Sequence, residues 1–176
     1  MRRPTAAIGS AVFFVLAPGM VVGLIPWLLT EGWQAREPVS YWAPMRVLGA
    51  VLLVAGLIAL VGAFVRFVVE GLGTPAPVAA PDRLVVGGVY RYVRNPMYVA
   101  VLVAIVGQAL LLGRLVLLLY AAGAWLVVAA FVRFYEEPTL TSRFGADYEA
   151  YRRAVPAWWP RLRPWDPAER DEPGVG

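Results

Sequence analysis

The chain has 176 residues, of which 60% are hydrophobic, and a formal net charge of +4. Its mean hydropathy of +0.63 exceeds that of a soluble domain of this length, so the composition predicts an integral membrane protein. Cysteine and histidine are both absent. Disulfides, thiolate nucleophiles, histidine bases and the usual zinc sites are therefore excluded, and we expect no metal. The modest charge lies at the ends of apolar runs, which favours membrane lipids over nucleic acid as partners.

Four uncharged runs are long enough, or nearly so, to cross a hydrocarbon core that needs about 20 helical residues. They cover residues 4–30, 47–65, 95–113 and 115–132. We predict an all-α fold, an integral membrane bundle of about four transmembrane helices, in which the first span is retained rather than cleaved. Pro18 and Pro26 are expected to kink that first span, which bundles tolerate when neighbouring helices supply hydrogen bonds.

The arginines predict how these spans are oriented. Most of them share one face of the membrane, and only three lie on the other: Arg36, Arg46 and Arg114. By the positive-inside rule the first face and both termini are cytoplasmic, in the cell (inner) membrane. Only residues 113–114 separate the third and fourth spans, so these two should form an antiparallel hairpin.

The residues after the fourth span predict a cytosolic amphipathic helix and then a tail. From 138 to about 154 the apolar residues recur at three-to-four spacing, as expected of a helix lying on the membrane surface. They are Leu140, Phe144, Tyr148, Tyr151 and Val155. We therefore treat residues 1–163 as one membrane domain. Residues 164–176, rich in proline, acid and glycine, are expected to form a mobile tail.

Residues 87–98 combine paired glycines, tyrosines and arginines between apolar runs. Asn95 followed by Pro96 is typical of a helix start, in which Asn caps free N–H groups and Pro takes the first helical position. The positive end of that helix lies beside Arg91 and Arg94, an arrangement that stabilises a bound anion. Tyrosine and arginine also anchor membrane helices with no ligand involved, and on these residues alone that interpretation is the commoner one.

Glu136 and Glu137 stand at the end of the fourth span, where carboxylates oppose the helix dipole. Either they face a cationic ligand, or Pro138 begins a new helix with Glu137 at its favourable N-terminus. The hairpin places them at the depth of Asn95, so a zwitterionic ligand would fit between the two helix ends. Arg133 and Glu137 are four apart and can pair along one face, which leaves Glu136 free to meet a cationic group.

These residues resemble a known family. The run from Leu84 to Tyr98, the pair Glu136-Glu137 and the later spacing of Phe144, Gly145, Tyr148 and Tyr151 resemble the isoprenylcysteine carboxyl methyltransferases and phospholipid methyltransferases. The resemblance covers about residues 82–159. It implies an integral membrane enzyme that binds S-adenosylmethionine on the cytosolic side. The implied acceptor is lipophilic or lipid-borne and enters from the bilayer, either a prenylated-cysteine-like carboxylate or a lipid amine.

Carried over residue by residue, the resemblance implies a cofactor site and two catalytic residues. The cofactor contacts are Asp82, Arg83, Leu84, Val85, Tyr90, Arg94, Asn95, Pro96, Met97, Tyr98 and Glu136. Arg133 is the candidate for orienting the acceptor, and Glu137, with Glu136, is a candidate base for an amine acceptor. The isoprenylcysteine enzymes have His where this chain has Asn95, which cannot titrate. This departure counts against a prenyl-cysteine substrate more than against the cofactor.

Two other functions remain compatible with the sequence. Membrane sterol-type reductases resemble this fold but use NADPH, and titration with each cofactor would separate the two enzymes. A non-enzymatic four-helix transporter or scaffold is the third possibility, although no span interior holds the ionisable residue that coupled transport usually needs. Gln108 is the only strongly polar side chain deep in a span, and we expect it to bridge helices.

Overall fold

The computed structural model describes residues 16–71 and 84–166, without the side chains of 67–71, and this part of the chain is helical throughout its regular structure. The helices are α1 (Leu16–Leu29), α2 (Ala43–Gly71), α3 (Pro96–Leu112), α4 (Val116–Phe131), α5 (Glu137–Phe144) and α6 (Ala146–Ala154). A turn of 3₁₀ helix, Gly88–Arg91, precedes α3. Turns of π-helix lie within α1 at Gly19–Leu24 and between α4 and α5 at Val132–Glu136. The all-α prediction is confirmed.

Two of the described helices are long and apolar enough to cross a membrane. They are Ala43–Arg66 and the continuous helix Val116–Phe144, which includes α4 and α5. The other two apolar helices, α1 and α3, are shorter. The described residues therefore provide two candidate spans by length and composition, where the sequence predicted about four. The beginning of the first predicted span lies outside the described residues.

The π-helical turn of α1 precedes Pro26, which has no N–H to donate. The carbonyl oxygens of Val21 and Val22 therefore lose a helical donor. Gln108 on α3 donates to the oxygen of Val22 at 2.8 Å, and Tyr120 on α4 donates to that of Val21 at 3.0 Å. The neighbouring helices thus supply the hydrogen bonds that α1 lacks at this turn, and the bridging role predicted for Gln108 is confirmed.

Helices α2 and α3 approach each other closely along a seam of small residues. A Cβ atom at Gly56 would lie 2.8 Å from the backbone nitrogen of Ala104, and one at Gly107 would lie 2.5 Å from that of Leu53. Side chains at either glycine would force the backbones apart. Such small-residue seams are typical of helices that pack within membranes.

Helices α3 and α4 form the predicted hairpin. Gly113 ends α3 in the left-handed region at φ 65°, and a Cβ atom there would collide with the carbonyl of Arg36. Glycine is therefore required by conformation and by space. The short turn brings the start of α3 to the same level as the end of α4, which is the geometry that the proposed site needs.

The sequence predicts that the fourth span ends at Glu136-Glu137, but the helix continues past these residues. It continues to Phe144 through a π-helical turn, at the place where Pro138 leaves the preceding carbonyl groups without an α-helical donor. Gly145 then interrupts it at φ 53° and ψ −125°, a conformation open mainly to glycine. The single amphipathic helix predicted for residues 138–154 is therefore two helices, α5 and α6.

Residues 155–166, which we call the C-terminal strap, run along the loop that precedes α3. Four backbone hydrogen bonds join them, from Arg94 to Pro156, from Asn95 to Ala157, from Arg161 to Tyr92 and from Trp165 to Arg91. Trp165 is 4% exposed and packs against Tyr151. The prediction of a mobile tail from residue 164 is therefore wrong for Trp165, which belongs to the core. Residues 167–176 lie outside the described part of the chain.

Candidate functional site

Tyr98 and Glu136 make a polar contact between the two hairpin helices. The hydroxyl of Tyr98, in the first turn of α3, donates to Oε2 of Glu136 at 3.2 Å. Glu136 is the last residue of the π-helical turn that follows α4. The structure therefore places these two residues, both predicted as cofactor contacts, directly against each other.

Glu137 is buried among arginines instead. Its Oε1 accepts a hydrogen bond from Nη1 of Arg94 at 2.8 Å. Its Oε2 lies 3.5 Å from Nη1 of Arg133 and 3.4 Å from Nη2 of Arg152. The predicted pairing of Arg133 with Glu137 is confirmed. The two carboxylates have different neighbours, as residues about 100° apart on a helix should.

Arg94 joins the loop before α3 to α5, α6 and the C-terminal strap. Its Nε donates to the carbonyl of Val155 at 2.9 Å, and its Nη1 donates to the hydroxyl of Tyr148 at 3.1 Å as well as to Glu137. Burial raises the pKa of the Tyr148 hydroxyl, although the charge of Arg94 opposes the shift, so this phenol stays protonated at neutral pH. These donors of Arg94 have protein acceptors, and its direct contact with a cofactor stays a prediction.

Asn95 occupies the N-cap position of α3 without capping it through its side chain. Its backbone carbonyl accepts a hydrogen bond from Val99 at 3.1 Å, but its side chain makes no capping bond, so that part of the prediction is wrong. The residue is 7% exposed, and its amide nitrogen Nδ2 has no partner among the described residues. A buried donor without an acceptor costs about 1–3 kcal/mol, which a ligand's acceptor atom would offset.

The other predicted cofactor contacts form the support behind these groups. Val85 and Tyr90 are buried together with Ala63, and Met97 packs against them. The hydroxyl of Tyr151 donates to the backbone carbonyl of Tyr90 at 2.7 Å and so fixes α6 to the 3₁₀ turn.

Four predicted cofactor contacts remain, and the structure describes two of them. Leu84 packs against the cluster that contains Tyr148 and Trp165, and Pro96 is buried at the start of α3. Asp82 and Arg83 lie outside the described residues. The structure therefore brings together Arg94, Asn95, Tyr98, Glu136 and Glu137 as the polar site.

Sequence reasoning missed the contributions of α6 to this site. Tyr148 and Tyr151 were placed on an apolar face, yet both hydroxyls bond to the loop before α3 or its arginine. The available signal was that phenols rather than leucines fill that face, because a buried tyrosine hydroxyl usually needs a partner. Arg152 carried no comparable signal in the sequence.

An apolar cavity of about 310 Å³ lies between α2, α3, the loop before α3 and the C-terminal strap. Its lining includes Ala55, Gly56, Val93, Pro96, Val99 and Pro160. Val93 and Pro96 flank Arg94 and Asn95 in the chain, but the five residues of the polar site do not line the cavity. Its size and apolar lining suit a hydrocarbon chain.

Comparison with known proteins gives two findings. The family model described as phospholipid methyltransferase matches residues 44–147. The protein-S-isoprenylcysteine O-methyltransferase of Schizosaccharomyces pombe is 40% identical over 80 residues, which are 45% of this chain and 34% of that protein. The chain thus spans about a third of the length of this relative.

The family match extends from the start of α2 to the beginning of α6 and includes all five residues of the polar site. Enzymes of this kind are integral membrane methyltransferases that use S-adenosylmethionine. The resemblance seen in residues 84–98 and at Glu136-Glu137 is therefore confirmed, and it outweighs the reductase and transporter alternatives. The chain belongs to the phospholipid methyltransferase family.

Proposed function

We propose that this chain transfers a methyl group from S-adenosylmethionine to a lipophilic or lipid-borne acceptor at the cytosolic face of the membrane. The observation that carries the proposal is the contact between Tyr98 and Glu136 across the α3–α4 hairpin, together with the buried, unpartnered amide nitrogen of Asn95 at the start of α3. A buried donor without a partner and a carboxylate bonded to a phenol lie at adjoining helix ends. This combination suits a ligand that carries both signs of charge.

The residues present fit the cofactor. Its amino-acid portion carries a carboxylate and an ammonium group, which need a hydrogen-bond donor and an anion respectively. Asn95 offers the donor, and Glu136 offers the anion. When bound, the cofactor supplies a methyl group activated by attachment to a positively charged sulfur.

The chain's own residues contribute mainly placement and the exclusion of water. Methyl transfer is an in-line displacement, so alignment of the reactants and desolvation supply most of the acceleration. Arg94, held by Glu137 and Tyr148, fixes the position of the neighbouring Asn95. Packing of Tyr90 beneath α3 supports the same loop.

The acceptor is proposed to be anchored by an apolar chain in the cavity beside Pro96. Arg133, whose side chain is 65% exposed, is proposed to orient a carboxylate or phosphate on the acceptor by bidentate pairing. An amine acceptor needs a base, which Glu136 or Glu137 would provide.

A labelled-methyl assay tests the activity. Purified protein in lipid nanodiscs is incubated with methyl-labelled S-adenosylmethionine and a lipid extract, and label in the organic phase is counted. We expect transfer by the wild type and a strong loss in Glu136→Gln. Binding of the cofactor without transfer to any extracted lipid would contradict a lipid acceptor. Binding of NADPH in place of S-adenosylmethionine would contradict the methyltransferase itself.

The proposed orientation, with about four spans and both termini in the cytoplasm, is tested by single cysteines. The chain has no native cysteine, so each engineered thiol is unique. Ser40→Cys, in the loop 30–44, should be labelled by an impermeant reagent from outside the cell. Thr74→Cys, in the segment 71–81, should be labelled only after permeabilisation. The reverse pattern would put the proposed site on the wrong side.

A further inference from the structure

Three guanidinium groups converge on Glu137, and we call them the arginine cluster: Arg94, Arg133 and Arg152. Arg94 binds one carboxylate oxygen at 2.8 Å, and the other oxygen lies 3.5 Å from Arg133 and 3.4 Å from Arg152. If Glu136 is counted as a second negative charge, the group still has one positive charge in excess. An anion is therefore the ligand that its electrostatics favour.

Arg133 and Arg152 are the members of the arginine cluster that lie open to a ligand. Their side chains are 65% and 41% exposed, against 11% for Arg94. Because both contact the same carboxylate oxygen, the two contacting nitrogens are at most about 7 Å apart, a gap that a multi-oxygen anion can bridge. The two arginines thus form a pair with space and charge for one oxyanion.

The pair lies where the apolar part of the long helix Val116–Phe144 gives way to polar residues. The next two residues after Arg133 are exposed aromatics, Phe134 at 79% and Tyr135 at 48%. Exposed aromatic residues at the end of an apolar helix are typical of the headgroup level of a membrane. Basic side chains gathered from two helices at that level favour lipid headgroups over dissolved ions.

Single arginines at a helix end commonly anchor a protein to headgroups without forming a defined site. This pair differs, because its members come from different helices and meet at one buried carboxylate. We propose that Arg133 and Arg152 form a subsite for the oxyanion of a lipid headgroup. The inference rests on the proposed function, which places the methyl-transfer site at Glu136, next to Glu137. It adds Arg152 to the role in acceptor recognition that is proposed for Arg133.

Thermal unfolding of the purified full chain in dodecyl maltoside, titrated with dodecyl phosphate, tests the subsite, because a bound ligand raises the unfolding midpoint. We expect a saturable rise for the wild type. Arg152→Gln should weaken the apparent affinity about tenfold, the loss of one charge-assisted hydrogen bond. The matched control is Arg153→Gln, which removes the same charge from an exposed neighbour about 100° away around the helix and should change nothing.

Inorganic phosphate provides the second arm. Equal affinity for dodecyl phosphate and inorganic phosphate would overturn the assignment to a lipid headgroup. Equal losses in Arg152→Gln and Arg153→Gln would show general surface charge only, and no rise in the wild type would also overturn the subsite. Binding of S-adenosylhomocysteine is measured on the same samples. Arg152→Gln is expected to retain it, so failure of the subsite remains distinct from failure of the proposed function.

Discussion

Each end of the helical hairpin buries an arginine, and the two arginines have different surroundings. At the turn between α3 and α4, Arg114 donates at 3.1 Å to the carbonyl of Leu29 and at 3.1 Å to Glu31. The Glu31 side chain is 59% exposed. At the other end, Arg94 pairs with Glu137, and both side chains are buried, at 11% and 8% exposed.

The partner carboxylate shows what each arginine does. Leu29 is the last residue of α1, so Arg114 satisfies a carbonyl that the helix itself leaves open. Arg94 instead holds a buried acid whose chain neighbour, Glu136, faces the hairpin groove. One nitrogen of Arg114 also lacks a partner within the described residues, so an orphaned donor alone does not distinguish the ends. The partner carboxylates distinguish the two ends, because Glu137 is buried and Glu31 is exposed.

The largest expected effect comes from breaking the buried pair. Glu137→Gln leaves Arg94 without its closest counter-charge, and breaking a buried ion pair costs about 3–5 kcal/mol. The matched change at the other end, Glu31→Gln, should cost about 0–1 kcal/mol because that carboxylate is exposed. Unfolding free energies measured in mixed micelles compare them. Equal losses would contradict the distinction between the two ends.

The next largest effect is expected on the affinity for the cofactor rather than on the stability of the fold. Tyr98→Ala and Asn95→Ala each remove about one hydrogen bond to the proposed cofactor site, worth about 1–3 kcal/mol if the site is buried. The proteins should still insert and fold. Titration with S-adenosylhomocysteine gives the affinity of each variant. If both bind it as tightly as the wild type, these residues return to the role of interfacial anchors.

The smallest effect should appear at the π-helical turn of α1. Gln108→Leu removes the hydrogen bond to the carbonyl of Val22, worth about 0.6–2 kcal/mol between membrane helices. The change should lower the unfolding free energy and leave S-adenosylhomocysteine affinity unaltered. A loss of affinity without a loss of stability would contradict this expectation. It would indicate that the hydrogen bond of Gln108 affects the geometry of the polar site at the far end of the hairpin.

The hairpin, the common level of its helix ends and the separate roles of the two carboxylates could be predicted from the sequence, because they depend on local signals. Residues 113–114 allow only a tight turn, and a tight turn brings the two helix ends to one level. The four-residue spacing of Arg133 and Glu137 then separates the roles of the two carboxylates. Both predictions follow from helix geometry and need no knowledge of distant contacts.

The contributions that sequence did not predict come from the chain's path after α5. The backbone bond from Arg94 to Pro156 and the burial of Trp165 depend on where the C-terminal strap runs. Periodicity gives the faces of a helix but not the route of an irregular segment. The orphaned nitrogen of Asn95 was missed for the opposite reason, since a strong local cap signal predicted a bond that the fold does not make.

Isothermal titration of S-adenosylhomocysteine into wild type, Glu136→Gln and Glu137→Gln tests the central claim most directly, at a temperature where all three remain folded. Gln keeps the shape and removes the charge, so the comparison isolates the carboxylate that meets the cofactor. A charge-assisted hydrogen bond is worth roughly 1.5–3 kcal/mol, which predicts a tenfold or greater loss for Glu136→Gln and a much smaller loss for Glu137→Gln. A larger loss of affinity in Glu137→Gln than in Glu136→Gln, or no binding by the wild type, would contradict the assignment of Glu136 to the cofactor.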